Sequence, residues 1–179
     1  HKNLLLINCN DQYEGLPEKI LGALLVVSQE KRYKNFSHLV KVDSDVSLNS
    51  LEQIHGNLKS LENYDYFGQR LNKIIGNTTG DPRWHFGKVS KDSFWHNREY
   101  RGEYCDWLDG GCSYCLSRKS IKLLTSQFNF SNYKMISKKH IYEDLMIALL
   151  LKEYNIKPMQ FNYSLVGDKK IGVFSPPPQ

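Results

Sequence analysis

Long apolar runs are missing from this 179-residue chain. None is long enough to span a bilayer, which excludes a transmembrane helix within it. The opening Leu4, Leu5, Leu6 and Ile7 are too few for the apolar stretch of a signal peptide and read as a buried strand entered abruptly. Cysteine is scarce: Cys9, Cys105, Cys112 and Cys115. Cys112 and Cys115 form one C-x-x-C without a second. A zinc site would have to recruit Cys105 and a nearby histidine, and small buried thiols are the simpler reading. Disulfides stay open, and the count fixes no compartment. Dense basic runs are lacking too, beyond Lys138-Lys139 and Lys169-Lys170. A net charge of +5 without such runs suits a small anionic substrate, such as a nucleotide diphosphate, and argues against a nucleic-acid partner. No internal repeat or low-complexity block occurs.

What is present is ordinary for a soluble domain: 40% hydrophobic and 24% charged residues, enough to bury a core without staples. One catalytic-sized domain is expected over residues 1–174, with a Pro-rich tail or linker start over 175–179. The 11 tyrosines suit carbohydrate surfaces and ordinary cores equally. Strands are expected at 4–7, 38–42, 64–70, 112–116 and 158–165. Helical spacing marks 16–30, with Pro17 tolerated in the first turn, and helices also at 49–61, 118–128 and 142–154. Residues 71–106 have no clean periodicity and read as a long functional loop region with short strands. Alternating strands and helices predict an α/β sandwich with a mostly parallel central sheet. In such sheets sites lie at the carboxyl ends of strands.

Four groups could carry chemistry. Asp43-Ser44-Asp45 follows an apolar strand, and carboxylates two apart can converge on one hard divalent cation, Mg²⁺ or Mn²⁺; a solvated turn is the plain alternative. Glu143-Asp144 opens the clearest helix. The pair complements the helix dipole, and Asp144 could serve as a proton acceptor kept ionised by the dipole and backbone donors. Trp107 and Asp109-Gly110-Gly111 combine an indole platform, a hydroxyl acceptor and a backbone that a ligand can approach, or simply make a turn. His85, between Trp84 and Phe86, could orient an acceptor or serve as a hydrogen-bonded structural residue.

The order of these blocks resembles the beta-1,3-galactosyltransferase and fringe-like family. Lys41, Asp43, Ser44, Asp45, Val46 and Asn49 follow its K-x-D-D-D-V-x-x-N context, after a stretch carrying Tyr13, Leu16 and Lys19. Residues 107–118, with Asp109-Gly110-Gly111-Cys112 and Leu116-Ser117-Arg118, resemble its Gly-rich strand-to-helix segment. Tyr142-Glu143-Asp144-Leu145 through Pro158 resemble its E-D-V … G-x-x-P segment. The compactness and the W-H-F-G-K and D-G-G-C segments are also similar to small virus-encoded members of the chlorella-virus type. The resemblance implies a GT-A fold, Mn²⁺ (or Mg²⁺), a UDP-linked sugar donor, a glycan or glycoprotein acceptor and inversion at the anomeric carbon. It makes Asp43 and Asp45 the metal and diphosphate residues and Asp144 the catalytic base. It places Asp109, Gly110 and Gly111 at the donor or acceptor pocket. Lys41, Ser44, Trp107, His85 and Glu143 join them as candidate sugar-binding positions. It implies a Golgi lumen for a cellular member and cytoplasm for a virus-encoded one.

Three departures accompany the resemblance. Ser44 replaces the central acid of the triplet. No histidine follows Tyr163, where some relatives place a third metal ligand. The family's first, base-binding strand has no counterpart, so an excerpt of a longer protein is expected. Two other functions remain open on the residues alone. One is a metal-dependent phosphodiesterase or nuclease using Asp43, Asp45 and Asp144. The other is a carbohydrate-binding relative without turnover.

Overall fold

The computed structural model describes residues 5–43, 46, 56, 59, 61–75 and 80–161. Within them the strands are β1 (His38–Lys41), β2 (Tyr66–Gly68), β3 (Leu71–Asn72), β4 (Trp107–Leu108), β5 (Tyr114–Ser117) and β6 (Met159–Gln160). The helices are α1 (Leu16–Gln29), α2 (Arg118–Ser126), α3 (Tyr133–Ser137) and α4 (Glu143–Lys152). The expected helix over 49–61 falls almost wholly outside the described residues, as does the second half of the expected strand over 158–165.

The sheet runs in the order β1-β5-β2-β6, with β3 and β4 forming a separate ribbon. Strand β5 pairs antiparallel with both β1 and β2, and β2 pairs parallel with β6. The sheet is therefore mixed, which corrects the expectation of a mostly parallel one. The reason is positional. Strands β1, β2 and β6 do point the same way, but β5 is inserted between β1 and β2 and runs against them. The chain returns from β2 to β5 through the long 71–106 segment rather than through a βαβ crossover, so nothing forces a parallel entry. The register then matters for the site. Tyr114, at the start of β5, lies opposite both Lys41 at the end of β1 and Gly68 at the end of β2. The carboxyl ends of two strands and the turn leading into β5 thus meet at one edge.

Alternation along the buried strand β5 divides its side chains. Tyr114 and Leu116 join the main core with helices α1, α2 and α4, while Cys115 packs with Phe67 and Leu61 in a second cluster. Helix α1 presents Leu21, Leu24 and Leu25 inward, and Pro17 sits in its first turn. Ser117 caps α2, its hydroxyl accepting from the Ser120 amide at 3.1 Å. Helix α4 buries Leu145, Met146, Ile147, Ala148 and Leu151, an almost all-round apolar surface that makes it the central helix. The short α3 was not expected from the sequence, and residues 5–8 form no strand. Much of the 80–106 segment is turns, held down by a third cluster of Val89, Tyr100, Ile141, Tyr142 and Leu145.

Candidate active site

Lys41 is the hub of the edge where β1, β5 and α4 meet. Its Nζ lies 2.5 Å from Asp43 Oδ1 and 2.9 Å from Glu143 Oε1, and donates to the Gly110 carbonyl at 3.1 Å. Those three partners use all three ammonium hydrogens. The other oxygen of Glu143 accepts from the Tyr114 hydroxyl at 3.0 Å. Lys41 and Glu143 are both nearly inaccessible, with side-chain exposures of 10% and 6%. Burial works against the ammonium, but Glu143 and Asp43 outweigh it and hold the Lys41 pKa above its ordinary value. The pair is stabilised by mutual neutralisation in a dry setting, where either charge alone would be expensive.

Asp144 is the next residue on α4. Its Oδ2 accepts from the Gly110 amide at 3.0 Å and its Oδ1 from the Leu145 amide at 2.8 Å. These are the donors that sequence reasoning counted on to keep the carboxylate ionised. The structure corrects the consequence: desolvation, with Glu143 beside it, overrides them and pushes the Asp144 pKa up to about 7. A carboxylate poised there is a better proton acceptor at neutral pH than a strongly acidic one.

The Gly110–Cys112 turn joins these groups. A Cβ on Gly110 would lie 2.5 Å from Glu143 Oε1 and 3.1 Å from Lys41 Nζ, so the turn's close approach requires glycine. Asp109 caps the turn, accepting from the Gly111 amide at 2.8 Å, and its Oδ2 lies 3.5 Å from Arg70. Gly111 lies beside the acid just past β1: a Cβ there would be 3.7 Å from Asp43 Oδ2. The sequence-predicted Lys41, Asp43, Asp109, Gly110, Gly111, Glu143 and Asp144 are therefore brought to one edge. Tyr114 and Arg70 join them, and neither carried a signal in the sequence.

Ser44 and Asp45 lie outside the described residues, so the convergence of Asp43 and Asp45 stays an expectation. Among the described residues no group of three or more His, Cys, Asp or Glu side chains forms a metal cluster. A cation bound to a diphosphate asks for only one or two protein carboxylates. Asp43 offers one that is 39% exposed, and its hard oxygen donors fit Mn²⁺ or Mg²⁺.

Two residues are placed apart from this cluster. His85 is fully buried, with Nδ1 2.9 Å from the Tyr142 hydroxyl and Nε2 2.8 Å from the Arg98 carbonyl. Both ring nitrogens are used internally, so it pins the 80–101 segment to the start of α4 rather than presenting a nitrogen to a ligand. Trp107 is half-buried in β4 and packs against two hydrophobic clusters, with its ring 6.1 Å from Tyr104. None of the four cysteines forms a disulfide, and Cys115 is buried on β5.

Comparison with protein families defines the class: a glycosyltransferase. The family model described as Galactosyltransferase matches residues 1–162, and the chain belongs to that family. A sugar donor and an acceptor are its partners. No match is found among curated proteins. No helix among the described residues is long and apolar enough to cross a membrane.

Proposed function

We propose that this chain moves a hexose or deoxyhexose from a nucleotide-sugar donor, UDP-linked, to an acceptor hydroxyl with inversion, on a GT-A fold. The observation that carries the reading is Asp144: a largely buried carboxylate fixed by two backbone amides beside a glycine turn, its pKa pushed up to about 7 by desolvation and the neighbouring Glu143. In the reaction Asp144 accepts the acceptor's hydroxyl proton as that oxygen bonds to the anomeric carbon. The bond from that carbon to the diphosphate breaks on the opposite face, and the nucleoside diphosphate leaves with the electron pair. Asp43, with Asp45, would hold Mn²⁺ or Mg²⁺, which when bound neutralises charge on the departing diphosphate. Lys41 holds Asp43 and the base-bearing helix in one frame, and Gly110 and Gly111 present backbone at the pocket floor.

Isothermal titration with UDP, with and without Mn²⁺, tests the reading. Affinity should require the metal and be lost in Asp45→Ala. Binding that ignores Mn²⁺, or an Asp45→Ala protein that binds and turns over donor normally, would remove the assigned metal role.

A further inference from the structure

The best-exposed tryptophan of the described chain is not the one beside the glycine turn. Trp84 is 62% exposed, although its backbone is fixed: its amide donates to the Asp81 carbonyl at 3.2 Å. Four residues further on, Lys88 donates its amide to the His85 carbonyl at 3.0 Å, across Gly87, whose φ of +74° turns the chain back. The buried His85 anchors this turn from beneath through Tyr142 and Arg98. A second tie runs to the Tyr13–Gly15 turn, where the Glu14 carboxylate accepts from the Ser90 amide at 3.3 Å. A large apolar ring on so well-held a turn is a surface built for a contact rather than a loose end.

The turn is also joined to the reacting groups. The Lys88 Nζ stands 3.6 Å from the centre of the Trp84 ring and 5.6 Å from that of Tyr13. Tyr13 packs against the cluster containing Tyr142 and Leu145, the residues on either side of Glu143 and Asp144. Burial raises the Tyr13 phenol's pKa, and the negative charges of Asp144, Glu143 and Asp43 raise it further, so the phenol lies within electrostatic reach of those carboxylates. Trp84, Lys88 and Tyr13 thus lead from the surface to the cluster that flanks Asp144.

We propose that Trp84 and Lys88 form an outer acceptor subsite, which takes a sugar ring of a carbohydrate acceptor and aims its neighbouring hydroxyl inward past Tyr13 to Asp144. The inference rests on the transferase reading for the role of Asp144. The chemistry on both sides matches. A pyranose offers an apolar C–H face to an indole and hydroxyls at its rim to an ammonium donor. Lys88 is already partly desolvated, burial lowering its pKa, so less hydration is lost when the sugar arrives. Trp107, by contrast, is half-buried and packs against two hydrophobic clusters.

The test is a titration of the ¹⁵N-labelled full chain with the methyl glycosides of galactose, N-acetylglucosamine, mannose and fucose, followed at the indole N–H signals. Single Trp→Phe variants assign Trp84, Trp95 and Trp107. At least one glycoside should shift the Trp84 signal saturably and leave Trp107 in place. Lys88→Ala should weaken that titration by about tenfold, the loss expected for a hydrogen bond from a charged donor. No saturable shift of Trp84 with any of the four, movement of Trp107 alone, or an unchanged titration in Lys88→Ala would overturn the subsite. Hydrolysis of UDP-sugars by the unmodified protein is read separately: its absence would sink the transferase reading while the Trp84 response still decides the subsite.

Discussion

The cluster around Lys41 and the 80–101 segment handle charge in opposite ways. In the cluster, a buried ammonium is shared between two carboxylates and a carbonyl, and a glycine fits where no Cβ could. On the outer segment, cations sit over exposed aromatic faces, Lys88 on Trp84 and Arg98 on Phe94 at 4.3 Å, or in an open pair between Arg83 and Glu99 at 2.9 Å. The inner arrangement is held in low dielectric and depends on single atoms. The outer one is solvated and tolerates loss. Chemistry that transfers a proton needs the first kind of environment, and recognition of a varied sugar surface is served by the second.

Breaking the contrast at its strongest point means removing the hub. Lys41→Met leaves Glu143 buried without its cation and should cost about 3–5 kcal/mol, measured by chemical denaturation. A loss below about 1 kcal/mol would mean the Lys41 cluster is as tolerant as the surface. Gly110→Ala comes next. Its Cβ would meet Glu143 and Lys41, which are held by their own partners, and about 1–3 kcal/mol of stability should be lost together with most turnover. Ser113 sharpens the picture from the other side. It is buried at φ 76°, ψ 147°, with its hydroxyl unpartnered, a conformation that suits glycine. Ser113→Gly should therefore stabilise the fold by about 1 kcal/mol, visible as a higher melting temperature. Last, Arg83→Ala on the outer segment should cost less than about 1 kcal/mol, because its ion pair is exposed.

Much of the candidate site's geometry was legible because it is local. Residues 38–41 form a strand ending next to Asp43, Gly110 and Gly111 form the turn, and Glu143 and Asp144 start the helix that the apolar spacing announced. The antiparallel course of β5 was not legible, because Tyr114, Cys115 and Leu116 read the same way in either direction; their pairing is decided by non-local partners. The Asp144 donors were visible as a helix start, but its desolvation comes from the elements packed around it, Gly110 among them, which no local pattern encodes. Trp84 and Trp107 each stand three residues before a glycine, and only tertiary packing makes one exposed and the other half-buried. His85 between aromatics was equally open until its two buried partners were in place. Helix α3, at five residues, is too short to leave a periodic signal.

The carboxylate raised to about 7 gives the central claim its sharpest test. A base must be unprotonated to act, and Asp144 holds its proton more tightly than an ordinary carboxylate. Measured kcat/KM for sugar transfer should therefore fall about tenfold per pH unit below about 7 and level off above it. Asp144→Asn should remove that limb and lower kcat by roughly 10²–10⁴. An Asn variant that transfers sugar at the normal rate with the same acid limb would contradict the assignment of Asp144 as the base.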